Sequence, residues 1–337
     1  MRPHARTQTN GRNRWRFASL AATPILALSG IIAAPTAAHA EPSPTACREV
    51  RIPVRAHAQV AGTLCTPRAA TTIEVLVPGG TYNRWYWTGT GYTSAANQAG
   101  FATLAVDRPG TGKSTQVPAG TNTAGRQADA IHNVLSWVHD QSQWKHVVLG
   151  GHSLGSVVVI NESSRYHDAD AVLVTGYTHV PNIPSVVRLF AGLVHQANKM
   201  PGFEDRPALQ LTQASQADRV AAFSGPDDPA EMKAADYAHR DTTTPVEMVT
   251  GGAQILLNFS KLIKTPVLNV VGDHDVNFYC GLVPCTKPAR LTATEGHLYG
   301  GPYKAMIAAD AGHSLNLAPS HERTYDEMNQ WVATALP

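Results

Sequence analysis

Six short and nearly continuous apolar runs recur along the chain. They span residues 72–78, 101–107, 146–151, 171–176, 265–271 and 304–310. Strands that are apolar at almost every position are buried on both faces, which is typical of a parallel sheet covered by helices. The segments between the runs show helical spacing, as in residues 126–141, where Val134 and Val138 fall on one stripe. Strands that alternate with helices predict an α/β fold.

Two regions depart from this alternation. Residues 50–65 alternate apolar and polar positions, which predicts a half-exposed β-hairpin. Residues of about 178–262 contain helix-like pieces joined by Pro, Gly and Asp, and no convincing strand. We therefore predict one domain over residues 41–337, with a helical lid inserted at about 178–262 on one edge of the sheet.

The first 40 residues have the composition of an export signal. They carry five arginines and no acidic residue, followed by an apolar stretch over residues 17–34 and an Ala-His-Ala sequence that ends at Ala40. This order predicts a secretory signal peptide over residues 1–40, cleaved after Ala40, and a secreted protein. A membrane anchor is the alternative, but Pro24 and Gly30 interrupt the apolar stretch, so no stable anchor is expected after cleavage.

Removing the predicted signal changes the charge of the protein. The whole chain of 337 residues has 27 Lys and Arg against 25 Asp and Glu, a formal charge of +2. Without the five leader arginines, 22 basic residues face 25 acidic ones, a formal charge of −3. The remaining chain has no run of Lys and Arg, so no nucleic-acid partner is expected. The whole chain of 337 residues, with a hydrophobic content of 43%, can bury a large core in one or two domains.

All four cysteines follow the predicted signal. An even number in an oxidising compartment predicts two disulfides. Three pairings are possible, and we favour the two local ones, Cys47 with Cys65 and Cys280 with Cys285. A zinc site is the alternative, but the spacings of eighteen and five residues do not resemble closely spaced metal-binding pairs, so no metal is expected.

Residues 107–115, "DRPGTGKST", raise the question of nucleotide binding. A phosphate-binding loop needs a glycine five positions before Gly112, and Asp107 stands there. No G-x-G-x-x-G sequence opens the first predicted strand-helix-strand unit, and residues 321–325, "HERTY", lack the second histidine of a zinc hydrolase motif. We therefore expect neither a nucleotide nor another cofactor.

The strongest indication of chemistry is "GHSLG", residues 151–155. It follows a predicted strand and precedes a helical pattern, which is the context in which G-x-S-x-G places a serine at a tight turn at a helix N-terminus. Ser153 is therefore a candidate nucleophile. Its hydroxyl needs a base to take its proton, and that base must itself be oriented by a carboxylate.

With this motif the sequence resembles the α/β-hydrolase superfamily over essentially the whole chain after the signal. Residues 77–83, "VPGGTYN", look like the oxyanion loop of that family. The "DRPGTGKS" run matches the family's Asp-x-x-Gly-x-Gly-x-Ser turn, at Asp107, Gly110, Gly112 and Ser114. The resemblance implies an α/β-hydrolase fold, with a mostly parallel central sheet flanked by helices and a helical lid.

The family order of nucleophile, acid and histidine implies the rest of the site. It implies Asp275 as the acid and His313 as the base, each just after a predicted strand. Asp273 is a rival for the acid, but only Asp275 has the family's Gly-x-x-Asp spacing from Gly272.

Two backbone N–H groups are expected to stabilise the oxyanion. Leu154 follows the nucleophile and supplies one, and the oxyanion loop supplies the other from Gly80 or, one residue further on, Thr81; we prefer Gly80. Aromatic residues follow this loop. Such clusters are often core, but their position predicts that Thr81, Tyr82, Trp85 and Trp87 form a wall of the substrate site.

These residues predict a secreted serine hydrolase that cleaves small-molecule carboxylic esters or lactones through an acyl-enzyme. Some secreted relatives look like lactonases. Two alternatives remain. An acyltransferase would use the same three side chains and exclude water, and a non-catalytic binding protein would use the scaffold without the chemistry.

Overall fold

The computed structural model describes residues 45–55, 58–281 and 285–336, so the predicted signal peptide over residues 1–40 lies outside the described residues. The strands in chain order are β1 (Ala46–Arg55), β2 (Ala58–Thr66), β3 (Thr72–Val77), β4 (Ala102–Val106), β5 (His146–His152), β6 (Ala171–Thr175), β7 (Val194–Gln196), β8 (Leu211–Gln213), β9 (Val267–Gly272) and β10 (Tyr303–Ala308). Eight of them form one sheet in the order β1-β2-β4-β3-β5-β6-β9-β10.

The sheet is parallel from β4 to β10, and β1 and β2 add an antiparallel edge. Every residue of β3, β4, β6 and β9 is buried. This burial on both faces is the reason that these strands appear in the sequence as continuous apolar runs. The prediction of an α/β fold with a mostly parallel sheet is confirmed.

The predicted N-terminal hairpin is the pair β1 and β2. Cys47 lies directly opposite Cys65 in the register of this pair, and a disulfide joins them. A second disulfide joins Cys280 to Cys285. The favoured pairing is therefore the one that the structure contains.

Helices cover the sheet. In chain order they are α1 (Trp85–Thr88), α2 (Tyr92–Gln98), α3 (Ala124–His139), α4 (Leu154–Tyr166), α5 (Ile183–Leu193), α6 (Gln216–Phe223), α7 (Ala230–Ala238), α8 (Pro245–Leu257), α9 (Pro288–Glu295) and α10 (His321–Ala335). Short 3-10 turns lie at Ala119–Thr121, Ala197–Lys199, Phe259–Leu262, Gly296–Leu298 and Leu315–Leu317. None of the helices in the described ranges has both the length and the apolar character needed to cross a membrane.

Hydroxyl side chains set where several helices begin. Thr123, Ser215 and Thr244 each accept a hydrogen bond from a backbone N–H in the first turn of α3, α6 and α8. Such caps satisfy N–H groups that have no partner within the helix.

The chain between β6 and β9 contains α5 to α8, which agrees with the predicted helical character of this segment. It also contains the antiparallel pair β7 and β8, so the expectation of no strand here is wrong. Each strand has only three residues, which is too short for an alternating pattern to be recognised. Residues 211–213 form β8, and helix begins only after the cap at Ser215.

The "DRPGTGKS" run forms a tight turn after β4. The Asp107 carboxylate accepts hydrogen bonds from the backbone N–H groups of Arg84, at 2.9 Å, and Lys113, at 2.8 Å. Gly112 has φ +51°, and a Cβ there would lie 2.1 Å from the carboxyl group of Asp107. Glycine is therefore needed at position 112 because any side chain there would collide with Asp107. This packing accounts for the glycine-rich run without a bound phosphate.

Candidate active site

Ser153 lies at a strained turn between β5 and α4. Its backbone has φ 53° and ψ −118°, a conformation that side-chain-bearing residues rarely adopt. The flanking glycines allow the surrounding backbones to approach each other. A Cβ on Gly151 would lie 2.5 Å from the carbonyl oxygen of Gly155, and one on Gly155 would lie 2.3 Å from that of Val77. The G-x-S-x-G pattern is therefore a packing requirement at this turn.

The structure brings Ser153, His313 and Asp275 together at the carboxyl end of the sheet. His313 Nε2 is 2.7 Å from Ser153 Oγ, and His313 Nδ1 is 2.8 Å from Asp275 Oδ2. With Asp275 ionised, Nδ1–H donates to the carboxylate and Nε2 accepts from the serine hydroxyl. This arrangement allows the imidazole to remove the proton of Ser153 when its oxygen attacks an electrophile.

The loop after β9 holds Asp275 in a fully buried position. Burial raises the pKa of Asp275, and the charge of His313 and the hydrogen bond with it act in the opposite direction. The backbone N–H groups of Tyr279 and Cys280 donate to the Asp275 carbonyl at 3.1 and 2.8 Å, and the second disulfide begins at Cys280. The imidazole of His313 packs on Phe278, with ring centroids 3.8 Å apart. The carboxylate and the imidazole are thus held in place from several sides.

Asp273, the rival acid, has different partners. Its Oδ1 accepts a hydrogen bond from the backbone N–H of Ala311, at 3.1 Å, and lies 2.8 Å from His274 Nδ1. Its side chain is 27% exposed. Asp275 rather than Asp273 is therefore the carboxylate that contacts His313.

A second histidine, His152, lies directly before the candidate nucleophile. It is fully buried, it stacks on Tyr86 with ring centroids 4.2 Å apart, and its Nδ1 is 3.1 Å from Thr175 Oγ1. Burial lowers the pKa of His152 well below its ordinary value, and the positive charges of His313 and Arg219 add to this. His152 is therefore neutral and part of the packing behind Ser153.

The predicted oxyanion loop faces the same cavity as Ser153. Gly80, Thr81 and Leu154 all line that cavity. Within the described part of the chain, the backbone N–H groups of these three residues have no hydrogen-bond acceptor. Thr81 also has an unusual φ of +60°. Unpaired N–H groups beside a nucleophile are suited to bind a developing negative charge, and both Gly80 and Thr81 retain this capacity.

Two buried arginines, which the sequence analysis did not identify, hold the oxyanion loop. Arg108 Nη2 donates to the carbonyl oxygen of Gly79 at 3.0 Å, and its Nη1 donates to Glu247 of α8 at 2.9 Å. Arg219 of α6 donates from Nη1 to the carbonyl oxygen of Thr81 at 3.3 Å. Both guanidinium groups are almost completely inaccessible to solvent.

Arg219 also makes a buried ion pair with Asp236 of α7. Its Nε and Nη2 donate to the two carboxylate oxygens at 2.5 and 3.0 Å. Its guanidinium lies 4.2 Å from the ring centroid of Tyr82. The segment between β6 and β9 is therefore connected to the oxyanion loop by charged hydrogen bonds. The only sequence feature that could have indicated this role of Arg219 is an arginine among apolar helical residues, as in "DRVAAF".

Ser153 opens into an apolar cavity of about 330 Å³. Side chains of α5 and α8 form much of its wall, together with Phe223 and Phe278; those from the two helices include Ile183, Val186, Met248 and Ile255. Ile183 and Leu256 also line the cavity and are 56% and 86% exposed, so they mark where it meets solvent. The cavity is suited to an apolar group attached to the reacting carbonyl.

The predicted aromatic wall is wrong for three of its four residues. Thr81 lines the cavity, but Tyr82, Trp85 and Trp87 do not. Tyr82 and Trp87 are fully buried, and the Tyr82 hydroxyl hydrogen-bonds to Ser314. Trp85 stacks on His239 with ring centroids 4.5 Å apart. Tyr82, before α1, and Trp87, within it, are directed into the core, because large apolar surfaces gain most from burial there, whereas Trp85 stays partly exposed.

Comparison with known proteins agrees with this architecture. The sequence profile described as the alpha/beta hydrolase family matches residues 75–326, which is more than half of the chain. A comparison with curated proteins found no match.

Several solved structures are similar. A thermophilic esterase from Thermogutta terrifontis has a TM-score of 0.61 at 16% identity, covering 86% of this chain and 100% of that chain. A dienelactone hydrolase from Anabaena variabilis has a TM-score of 0.52 at 15% identity, covering 87% and 99%. The carboxylesterase CesB from Bacillus subtilis has a TM-score of 0.56 at 18% identity, covering 86% and 91%. At these identities the likeness shows the fold alone, whereas the family match rests on the sequence. The chain belongs to the alpha/beta hydrolase family.

Proposed function

We propose that this protein is a secreted serine hydrolase that cleaves carboxylic esters or lactones through an acyl-enzyme. The observation that carries the proposal is the continuous hydrogen-bond chain from Ser153 Oγ through His313 to the buried Asp275, with spacings of 2.7 and 2.8 Å. A chain of this kind activates a hydroxyl that is otherwise a poor nucleophile.

In the proposed reaction Ser153 Oγ attacks the substrate carbonyl carbon while His313 Nε2 takes the hydroxyl proton. Asp275 stabilises the imidazolium that forms and keeps its orientation. The N–H groups of Leu154 and Gly80 donate to the oxyanion of the tetrahedral intermediate. His313 then gives the proton to the leaving alcohol oxygen, and the acyl group stays on Ser153. Water, activated by the same imidazole, releases the acid and restores the serine.

The cavity supports an apolar substrate. About 330 Å³ lined largely by aliphatic and aromatic side chains accommodates a medium-length acyl chain or a ring. The similar structures include proteins named as an esterase, a carboxylesterase and a dienelactone hydrolase. We therefore assign open-chain esters and lactones with apolar substituents as the substrate class.

Export is proposed on two grounds. Residues 1–40 have the pattern of a secretory signal. The two disulfides, Cys47–Cys65 and Cys280–Cys285, are bonds that persist in oxidising compartments. Detecting the protein in culture medium, with Glu41 as its first residue, would test both the export and the cleavage site.

The test of catalysis is the variant Ser153→Ala, assayed on p-nitrophenyl acetate, octanoate and palmitate and on a lactone series. We expect turnover to fall by at least about 1,000-fold with the fold intact. The control is Ser94→Ala, because Ser94 is an exposed serine of α2, far along the chain from the site. A fluorophosphonate probe should add its mass to the peptide containing Ser153. Retained turnover in Ser153→Ala, or labelling of a different serine, would overturn the proposal.

A further inference from the structure

A second cluster of reactive side chains lies at the other end of α4. Ser153 immediately precedes this helix, whereas Glu162 lies near its C-terminus, about 13 Å away along the helix axis at 1.5 Å per residue. His132 of α3 and Asp168, in the loop before β6, face Glu162. One ligand atom from each of the three side chains lies within 4.8 Å of the others. The cluster is separate from the candidate active site.

The geometry of the three ligand atoms is close to that of a metal site. His132 Nδ1 lies 2.7 Å from Asp168 Oδ2 and 3.8 Å from Glu162 Oε1. The 3.8 Å distance is close to the spacing of about 3.4 Å between ligand atoms that each lie about 2.1 Å from a tetrahedral zinc ion. The 2.7 Å contact is a hydrogen bond, which would lengthen by about 0.7 Å when an ion replaces its proton. The ring of His132 stacks on Tyr166 with centroids 3.7 Å apart, which holds the imidazole in this orientation.

The Glu162 carboxylate gives a second, independent indication of a ligand. Its side chain is completely inaccessible to solvent, and Oε1 has no hydrogen-bond partner among the described residues. Asp168 Oδ1 is likewise buried without a partner. Two carboxylates this close in a buried site need either a shared proton or a cation between them.

The nearby arginine does not fill this role. Arg165 follows Glu162 by less than one helical turn, but its Nη1 lies 2.8 Å from Asp129 Oδ1 and its side chain is 44% exposed. Its guanidinium is thus directed to another acid at the surface. Glu162 Oε1 and Asp168 Oδ2 lie 3.8 and 2.7 Å from His132 Nδ1 instead.

We propose that His132, Glu162 and Asp168 bind a divalent transition-metal ion of the Zn²⁺ type, as a structural site that joins α3, α4 and the loop before β6. One imidazole nitrogen and two carboxylate oxygens form a donor set that zinc accepts, whereas Ca²⁺ and Mg²⁺ prefer oxygen alone. The ion displaces the proton from Nδ1 of His132 and neutralises the buried carboxylates. His132 and Asp168 are 33% and 19% exposed, which gives the ion access and allows water to complete its coordination.

The test measures metal content and thermal stability of the purified protein. After dialysis against ZnCl2 and then metal-free buffer, the parent should retain one zinc per chain. Its Tm should rise by about 5 °C with saturating ZnCl2 and fall again with EDTA, because an ion that binds only the native state stabilises it. CaCl2 at the same concentration should give a smaller rise.

Three variants distinguish this site from other zinc-binding groups. His132→Ala and Glu162→Gln should lose the retained zinc and the Tm response, and Glu162→Gln is nearly isosteric, so it folds even if His132→Ala does not. The matched control is His139→Gln, because His139 lies on the same helix and its Nε2 bonds to the backbone oxygen of Asp168, at 2.9 Å, rather than to either carboxylate. It should behave as the parent does.

Two results would overturn the proposal. A parent protein whose Tm is insensitive to both ZnCl2 and EDTA would mean that a shared proton holds the two carboxylates together. Zinc retained equally by Glu162→Gln would mean that the ion binds at other histidines.

Discussion

Replacing Asp275 with asparagine is the sharpest test of the proposed catalytic arrangement. Asn has almost the same volume as Asp, so the buried loop after β9 keeps its packing. Its amide nitrogen can donate to His313 Nδ1, and the imidazole proton then moves to Nε2. In that tautomer Nε2 presents a hydrogen to Ser153 and can no longer accept its proton. The variant thus removes the base function of His313 without removing a side chain.

The size of the effect follows from the separation of the charges. A carboxylate 2.8 Å from the imidazolium nitrogen stabilises the positive charge that develops on His313 by about 6 kcal/mol, for an effective dielectric constant of about 20. At 1.36 kcal/mol for each factor of ten, this corresponds to a loss of about 20,000-fold in kcat. Asp275 is completely buried, so water cannot replace the lost carboxylate. Because burial already raises the pKa of Asp275, a neutral asparagine should cost little stability.

The assay is kcat on a p-nitrophenyl ester across pH 5–9, with Tm measured on the same preparations. Asp273→Asn is the matched control, because Asp273 lies two residues away and bonds to Ala311 and His274 rather than His313. We expect the control to retain kcat within about threefold. If Asp275→Asn kept more than a tenth of the parent kcat, or if Asp273→Asn lost more than Asp275→Asn, the assignment of the acid would be refuted.

Three further predictions concern stability, measured as the free energy of unfolding in urea or, for a variant that does not fold, as the yield of soluble protein. Burial raises the pKa of Glu74 to about 7 from 4.5, so the unfolded chain ionises first as the pH rises, and the free energy of unfolding of the parent should fall by about 3 kcal/mol between pH 4.5 and 7. Glu74→Gln should flatten this dependence of the unfolding free energy on pH, and an unchanged dependence would contradict the reasoning. Arg219→Met should cost about 3–5 kcal/mol by leaving Asp236 buried and unpaired, and adding Asp236→Leu should recover most of it. Gly155→Ala should prevent soluble expression, since its Cβ would lie 2.3 Å from a carbonyl oxygen. In the control Gly252→Ala the new Cβ has open space around it, so the free energy of unfolding should stay within about 1 kcal/mol of that of the parent.

Local patterns were reliable wherever burial is uniform along an element. The apolar run over residues 72–78 corresponds to Thr72–Val77, and the run over 265–271 contains most of Val267–Gly272. Short elements with mixed surroundings were not recognised, as with β7 and β8. Three residues give neither a full alternation nor a helical turn, so their structure depends on the partner strand rather than on their own sequence.

Side-chain direction was the second point at which local patterns failed. Tyr82, Trp85 and Trp87 follow the oxyanion loop in sequence, and they were expected beside the substrate. The structure packs them against α2, Ser314 and His239. Sequence proximity to a site does not determine which side of a one-turn helix faces it.

The chain's own pattern was sufficient for the alternation of the long strands and helices and for the turn at Ser153, because each depends on a few neighbouring residues. Asp275 and His313 were identified through the resemblance to the α/β-hydrolase superfamily, whose site lies at the common edge where parallel strands end. The cavity, the arginines that hold the oxyanion loop, and the His132, Glu162 and Asp168 cluster were decided only by tertiary structure. Each of these combines side chains separated by tens to more than a hundred residues along the chain. Their chemistry comes from burial and distance, which no local pattern of apolar and polar positions encodes.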